Sequence, residues 1–213
     1  MYELNNLYNV DCMQLMAAYP DNFFDLAICD PPYGISKAFN ATSRIARYGG
    51  GKAVSMANDL KPTPEYFKEL FRVSKNQIIW GYNHLSDMLP ACKEFIFWYK
   101  HQPVKSYADG ELAWTSFKGN ARCFDYPFFG GAGAEPDRIH PTQKPVALYE
   151  WLLAGYAKQG DKILDTHAGS ASSLIACYNC GFDFVGAEID ADFFNAAKQR
   201  LTAAMAQMRL IDF

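Results

Sequence analysis

The tetrapeptide at residues 30–33, Asp-Pro-Pro-Tyr, constrains the fold more strongly than any other stretch of this chain. It directly follows an apolar run over residues 23–29, whose length and composition predict a buried β-strand. The two prolines stiffen the chain as it leaves the strand and remove two backbone N–H donors, while their carbonyl groups remain acceptors. We therefore expect one rigid turn to present a carboxylate, a carbonyl oxygen and an aromatic ring.

These groups suit the exocyclic amine of a nucleobase, which carries two N–H donors and a lone pair delocalised into the ring. If the Asp30 carboxylate accepts one hydrogen and the Pro31 carbonyl accepts the other, the nitrogen moves toward tetrahedral geometry and its lone pair is freed for attack. Tyr33 would stack on the flat base and hold it. The same tetrapeptide also fits a plain strand-ending turn, because Asp and Pro are common turn residues.

A second constellation lies far along the chain. Residues 162–167 are predicted to form a strand that leads into a turn of small residues around Gly169, followed by a helix and by a strand ending at Glu188. A tight turn after the first strand of a βαβ unit and an acid after the second are typical of a nucleoside-binding crevice. The turn has one glycine where a phosphate-binding turn has three, which favours a cofactor without phosphate.

The remaining pattern predicts further strands and helices of an open α/β sheet. Asp11 is either an acid at a ligand-facing strand end or the N-cap of the following helix. Glu111 gives one strand a charged start, which suggests that this strand lies near a sheet edge. The predicted strands cover 4–11, 77–80, 95–99 and 111–117, and the predicted helices cover 12–19, 62–73, 85–89, 146–158, 174–180 and 190–210.

Two irregular segments carry cationic side chains. Residues 34–59 have no acid before Asp59 and contain three consecutive glycines, so we predict a mobile loop that orders on substrate binding and contacts phosphate; the alternative is a solvated surface loop. Residues 101–139 interleave basic and aromatic residues, which suits a small target-recognition segment and equally suits a loop that packs its aromatics on the core. The candidate DNA-binding residues are Lys37, Arg44, Arg47, Lys52, Lys105 and Arg122.

These motifs together resemble the amino-methyltransferases, which methylate adenine N6 or cytosine N4 with S-adenosylmethionine. The tetrapeptide at 30–33 resembles their motif IV, the string His-Pro-Thr-Gln-Lys-Pro at 140–145 resembles motif X, the turn around Gly169 resembles motif I, and Glu188 falls on motif II. This order is that of the β class. Nearly the whole chain looks most like the small phage and prophage DNA adenine methyltransferases, and Asp at the first position of motif IV is commonest among adenine N6 enzymes.

The resemblance implies a single domain over residues 1–213 with a Rossmann-like methyltransferase fold. This fold has a mostly parallel seven-stranded sheet, helices on both faces and a circularly permuted order of motifs. It also implies methylation of a flipped-out adenine in double-stranded DNA, within the chemistry of restriction–modification. The implied catalytic residues are Asp30, Pro31, Pro32 and Tyr33.

The same resemblance implies a set of cofactor-binding residues. Thr142 and Lys144 are expected to meet a carboxylate, Asp165 the amino group of the cofactor, and Glu188 its ribose. Ala171 stands where the family usually has a second glycine. The implied set is Asp11, Cys12, Asp30, Thr142, Lys144, Pro145, Asp165, His167, Gly169, Ser170, Ser172, Glu188 and Ile189.

The charge, the apolar content and the cysteines of the chain limit the kinds of function that the sequence allows. A net charge of −3 over 213 residues means that DNA contact must come from a local patch. The sequence contains no apolar run that would span a membrane, no signal peptide and six scattered cysteines, which suggests reduced thiols and a cytoplasmic setting. Cys177 and Cys180 have no second pair at metal spacing, so we expect two buried thiols and no metal. A homodimer would enlarge the DNA-contacting surface of so small a chain.

Several alternatives remain open. Methylation of cytosine N4 uses the same chemistry on a similar amine. Methylation of an RNA base or a protein glutamine is a related reading, and a DNA-binding regulator that keeps the fold without turnover is a reading of another class. Attack through a cysteine on cytosine C5 is disfavoured because the sequence contains no Pro-Cys dipeptide.

Overall fold

The computed structural model describes residues 1–35, 60–105, 107–128, 138–140 and 142–207. The strands in this part of the chain are β1 (Asn6–Asn9), β2 (Phe24–Cys29), β3 (Ser74–Trp80), β4 (Phe95–Tyr99), β5 (Gly110–Thr115), β6 (Arg122–Asp125), β7 (Lys162–Asp165) and β8 (Asp183–Glu188). The helices are α1 (Cys12–Ala17), α2 (Pro64–Val73), α3 (Tyr82–Leu85), α4 (Val146–Tyr156), α5 (Ser172–Cys180) and α6 (Ala191–Ala206).

All the strands join one sheet in the order β1-β8-β7-β2-β3-β5-β4-β6. The first five strands of this order are parallel, β5 is antiparallel to β3 and β4, and β6 is parallel to β4. β2 and β7 are parallel neighbours, with Leu26 opposite Ile163. Their carboxyl ends therefore lie at the same edge of the sheet, which brings the turns after Cys29 and Asp165 together.

The predicted fold class is confirmed, and the number of strands differs from the prediction. The described sheet has eight strands instead of seven, because β6 forms a short edge strand inside the segment predicted to be irregular. β5, which was predicted to lie near a sheet edge because of Glu111, is the third strand from the edge formed by β6. The Glu111 carboxylate is balanced by lysine side chains.

Several element boundaries also shift. The short helix predicted over 85–89 is wrong and lies one turn earlier at α3, because Gly81 takes a left-handed conformation with φ of 78° and starts the helix there. β1 is shorter than the predicted strand at 4–11. Gly181 ends α5 in the left-handed conformation, which glycine adopts readily. The predicted last turn of α6 reaches residues 208–210, which lie outside the described part of the chain.

Helices cover both faces of the sheet, because alternate side chains of each strand point to opposite sides. On one face Ile78 and Ile163 pack in a core with α4, α5 and α6. On the other face Ile79 and Leu164 pack with α1, α2 and α3. None of the helices in the described residues is both long and apolar enough to span a membrane.

A matched pair of valine substitutions tests this core. Val185 in β8 is 0% exposed, and Val104, in a surface connection, is 46% exposed. Val185→Ala should lower the free energy of unfolding by about 2 kcal/mol, because it removes two buried methyl groups and leaves a cavity. Val104→Ala should lower it by less than about 0.5 kcal/mol. Equal losses in urea unfolding would contradict the assignment of Val185 to the core.

Candidate active site

A cavity of about 370 Å³ opens where the carboxyl ends of β2 and β7 meet. A second cavity of about 330 Å³ adjoins it and shares Pro32, His167, Glu188 and Ile189 with it. Of the predicted site residues, the first cavity is lined by Asp30, Pro31, Pro32, Tyr33, Thr142, Lys144, His167, Gly169, Ser170, Ser172, Glu188 and Ile189. The second is lined by Asp11 and Cys12 together with the shared residues. The turn after β2 and the turn after β7 therefore line one cavity.

The carboxylate of Asp30 is held on both of its oxygen atoms. The Tyr33 hydroxyl donates to Oδ1, and the Lys144 ammonium group donates to Oδ2. The Asp30 side chain is 18% exposed. An ionised carboxylate offers about four acceptor positions, so each oxygen retains capacity for a further hydrogen bond. The turn thus presents a fixed acceptor to the cavity.

Gly81 sets the position of the Tyr33 ring. A Cβ atom built on Gly81 would overlap that ring, so the backbone of α3 approaches Tyr33 in a way that only glycine permits. The ring of Tyr33 stacks on His84, with centroids 5.2 Å apart and an interplanar angle of 18°. Burial raises the pKa of Tyr33 well above its usual value, which keeps the hydroxyl a neutral donor. Stacking of a base on Tyr33 stays a prediction.

Lys144 contacts two carboxylates of the protein itself. Its Nζ atom binds Asp30 and lies 3.1 Å from Oε2 of Glu111, and Lys100 binds the other oxygen of Glu111. Burial alone would raise the pKa of Glu111, and the two ammonium groups lower it to about 2. Burial disfavours the charged form of Lys144, but the charges of Asp30 and Glu111 raise its pKa above the usual value. Glu111 and Lys144 are therefore both charged, and the predicted contact of Lys144 with the cofactor stays a prediction.

The turn after β7 holds Glu188 in place. The backbone N–H of Gly169 donates to Oε2 of Glu188 at 3.0 Å, and that of Asp190 donates to Oε1 at 2.9 Å. Gly169 and Ala171 both have left-handed backbones, with φ of 51° and 60°. Ala171 thus adopts a backbone conformation that suits glycine, and its side chain makes this conformation less favourable.

Asp165 lies beneath this turn, outside the lining of either cavity, and is 2% exposed. Its Oδ1 atom accepts from the His167 backbone N–H at 3.0 Å, and its Oδ2 atom accepts from the Ser173 hydroxyl. Burial raises the pKa of Asp165, against the lowering effect of these hydrogen bonds, to about 7. Pro145 is likewise buried outside the lining and is the residue before α4. The roles predicted for both residues in cofactor binding stay predictions.

Asp11 and His140 each have a clear local role. Oδ1 of Asp11 accepts from the backbone N–H groups of Met13 and Gln14, so Asp11 is the N-cap of α1 as well as a wall of the second cavity. Nδ1 of His140 lies 3.1 Å from the Thr142 hydroxyl. Burial lowers the pKa of His140 to about 4, so its imidazole is neutral near pH 7.

Several lining residues of the first cavity were not predicted from the sequence, among them Glu111, His140, Gln143, Tyr149, Asp190 and Phe193. His140 and Gln143 belong to the motif X string and were detectable from it. Glu111 offered only its charge within an apolar strand, and that charge was interpreted as a sign that the strand lies near a sheet edge. Among the described residues, no cluster of His, Cys, Asp and Glu has the geometry to hold a metal ion.

The predicted DNA contacts are only partly described. Lys105 and Arg122 are exposed and lie outside both cavity linings. Lys37, Arg44, Arg47 and Lys52 lie outside the described residues. Cys177 is buried and Cys180 is exposed, so the prediction of two buried thiols holds for the first alone.

The buried carboxyl group of Asp165 gives stability a specific pH dependence. The native carboxyl holds its proton up to about pH 7, whereas the unfolded one ionises near pH 4. The native state therefore binds more protons in this range, and raising the pH from 4 to 7 should destabilise wild type relative to Asp165→Asn by up to about 1.4 kcal/mol per pH unit. Urea unfolding of both proteins at pH 5 and pH 7 measures the change.

Asp109→Asn, in an exposed loop, is the matched control. Its free energy of unfolding should differ from that of wild type by the same amount at pH 5 and at pH 7. A difference between wild type and Asp165→Asn that is equal at pH 5 and pH 7 would mean that Asp165 ionises as an ordinary carboxyl.

Comparison with known proteins agrees with this geometry. A model of the N6/N4 DNA methylase family matches residues 65–199. A protein of Escherichia coli K12 named as a methylase, YubD, is 25% identical over an alignment of 219 positions, and the match covers 93% of this chain and 91% of YubD.

Two solved structures share the fold. The Thermus thermophilus protein TTHA0409, titled as a DNA modification methylase and solved with S-adenosylmethionine, has a TM-score of 0.64 at 18% identity and covers 95% of each chain. The PvuII DNA methyltransferase, titled as specific for cytosine N4, has a TM-score of 0.58 at 12% identity, covering 94% of this chain and 90% of its own. The chain therefore belongs to the N6/N4 DNA methylase family, and it is a DNA methyltransferase whose target is an exocyclic amine of adenine or cytosine.

Proposed function

We propose that this chain transfers a methyl group from S-adenosylmethionine to the exocyclic N6 amine of an adenine flipped out of double-stranded DNA. The observation that carries the proposal is the Asp30 carboxylate, fixed by Tyr33 and Lys144 in the wall of a cavity that also contains Gly169. Direct transfer requires an acceptor for the amine and a cofactor turn within one cavity.

The residues around the two cavities fit S-adenosylmethionine. The carboxylate of Glu188 lines both cavities and suits the two ribose hydroxyls, while Ile189, 55% exposed, offers an apolar face to the adenine of the cofactor. Asp11 and Cys12 would meet the edge of that adenine. The T. thermophilus neighbour solved with this cofactor supports the choice. Thr142, Lys144, Pro145, Asp165, His167, Gly169, Ser170 and Ser172 complete the proposed cofactor-binding set.

When bound, S-adenosylmethionine supplies a methyl group activated by its positively charged sulfur. The chain's own residues prepare the acceptor. The Asp30 carboxylate accepts one N–H of the target amine and the Pro31 carbonyl accepts the other, which localises the lone pair on nitrogen. As positive charge develops on that nitrogen, the carboxylate stabilises it, and Asp30 is aligned to accept the proton that the amine then releases. Lys144 and Tyr33 keep this carboxylate oriented throughout.

Adenine is favoured over cytosine by the residue at position 30. In the family that the tetrapeptide resembles, aspartate at this position is commonest among adenine N6 enzymes. Cytosine N4 is the second candidate, because the structural neighbour PvuII DNA methyltransferase is specific for cytosine N4. Both amines present the same two N–H donors to Asp30, so the product must be measured.

The proposed DNA contacts lie on two segments. Lys105 and Arg122 are exposed and available to the phosphate backbone. Lys37, Arg44, Arg47 and Lys52 belong to the cationic stretch of sequence that follows the catalytic turn. We infer that this stretch contacts DNA because its charge contrasts with the net charge of −3 of the chain.

Product analysis tests the proposed reaction. The protein is incubated with methyl-labelled S-adenosylmethionine and unmethylated amplified genomic DNA, and the nucleosides are separated. We expect label in N6-methyl-2′-deoxyadenosine, and Asp30→Ala should lower the rate by at least about 100-fold, because the amine loses its carboxylate acceptor. Glu3→Ala, at an exposed position before β1 and outside both cavities, is the control and should keep the wild-type rate.

Label in N4-methylcytosine would replace adenine by the second candidate. Label transferred to RNA or protein but not to DNA, or undiminished transfer by Asp30→Ala, would overturn the proposal. A protein that binds DNA and transfers no label would be the non-catalytic regulator.

Two glycine-to-alanine substitutions test the position of Tyr33. Gly81→Ala introduces a methyl group that overlaps the Tyr33 ring, so it should displace Tyr33 and lower the turnover number by about 100-fold. Gly181→Ala is the matched control, because Gly181 has a similar φ of 76° and a Cβ atom there meets nothing within 4 Å. Both variants should lose about 1 kcal/mol of stability from the left-handed backbone, and Gly181→Ala should keep its turnover. Equal turnover of the two variants would contradict the role assigned to Gly81.

A further inference from the structure

Four charged side chains of alternating sign run from the first cavity into the protein. Asp30 binds Lys144, Lys144 lies 3.1 Å from Glu111, and Glu111 binds Lys100. The Lys144 side chain is 4% exposed, and the Glu111 oxygen that faces it is fully buried. Each charge has at least one partner of opposite sign, so the group is neutral as a whole.

Two tryptophan rings pack against the ammonium groups of this set of charges. Nζ of Lys144 lies 5.3 Å from the ring centre of Trp80, and Nζ of Lys100 lies 4.4 Å from the ring centre of Trp98. The two rings contact each other edge to face, and Glu111 lies directly opposite Trp98 in the pairing of β4 and β5. Aromatic faces attract cations, and the Lys144 side chain and Oε2 of Glu111 are buried, so these two charges act on each other more strongly than they would in solvent.

The arrangement makes Lys144 a shared partner. An ammonium group bonded to Asp30 alone would draw most of the negative potential of that carboxylate to itself. A second carboxylate on the opposite side of the ammonium group balances this attraction and fixes the position of Nζ. Asp30 then remains a stronger acceptor for an N–H group in the cavity.

We propose that Glu111 is a positioning residue for methyl transfer, acting on Asp30 through Lys144. The inference rests on the proposed function, because it assigns to Glu111 the strength and orientation of the carboxylate that accepts the target amine. Lys100 contributes from the far side by holding the second oxygen of Glu111.

Stability alone is a poor reason for a carboxylate at this position. The attraction within a buried ion pair is often little larger than the free energy lost by removing the two charges from water. Apolar residues of similar volume commonly stabilise a protein as well or better. Glu111 lies on an interior strand, where an apolar side chain would be the simpler choice. It also lines the same cavity as Asp30. A role in the chemistry accounts for both its charge and its location.

Glu111→Gln tests the proposal because it removes the charge and keeps the shape. We expect the single-turnover rate of methyl transfer to DNA to fall by about 10- to 100-fold, since the acceptor is weakened and displaced. The dissociation constants for S-adenosylmethionine and DNA should stay within about twofold of wild type, because the loss concerns the transition state. Glu69→Gln breaks an ion pair on α2 outside both cavities and is the matched control, with an unchanged rate.

A double-mutant cycle separates this role from a structural one. If Glu111 acts through Lys144, then Glu111→Gln should change the rate by less than about twofold in a Lys144→Met background, whereas two independent contributions would multiply. An equal loss in both backgrounds would overturn the proposal. So would a Glu111→Gln protein that transfers methyl groups at the wild-type rate.

Lys100→Gln keeps the proposal testable if Glu111→Gln fails to fold. Lys100 lies outside the lining of both cavities, so a purely structural ion pair would leave the transfer rate unchanged. We expect a loss of about 3- to 10-fold, since Glu111 loses one of its two supports. A wild-type rate for this variant would overturn the proposal.

These experiments distinguish a failure of the proposed function from a failure of the role assigned to Glu111. If the wild-type protein transfers no methyl group to DNA, the proposed function fails and the role of Glu111 fails with it. The other outcome is that wild type transfers methyl groups to DNA and Asp30→Ala abolishes this transfer, while Glu111→Gln transfers at the wild-type rate. In that case the proposed function stands and only the role of Glu111 is lost.

Discussion

The pairing of β2 with β7 is the constraint on which the rest of the site depends. The two strands are parallel neighbours, although more than a hundred residues separate them along the chain. From β2 the chain proceeds to β3 on one side, and from β7 it proceeds to β8 on the other. The turns that follow the two strands therefore diverge and leave a crevice between them, which is where ligands bind in open α/β sheets. Asp30 and Gly169 share a cavity for this topological reason.

The sequence predicted the parts of the site that are local. The rigid turn after β2, the small-residue turn after β7 and the acid after β8 each follow directly from an apolar strand, so their place at the carboxyl edge of the sheet could be inferred. The partners of these residues could not. Lys144 contacts Asp30 and Glu111, and neither partner was predicted from the sequence. That pairing depends on the approach of β5 to the turn before α4, which no local pattern encodes.

Glu111 illustrates why charge is an ambiguous signal in a strand. A carboxylate usually marks a solvent-facing position, since burial without a partner is costly. Here Lys144 and Lys100 approach from different parts of the chain and lower the pKa of Glu111 to about 2, so the charge is maintained inside the protein. The pKa of Asp165 shifts in the opposite direction. Its two oxygens accept from His167 and Ser173, and burial raises its pKa to about 7, while its contact with a ligand stays a prediction.

The walls common to the two cavities have a steric consequence. Pro32, His167, Glu188 and Ile189 line both cavities, so a larger side chain at any one of these four positions would narrow both cavities at once.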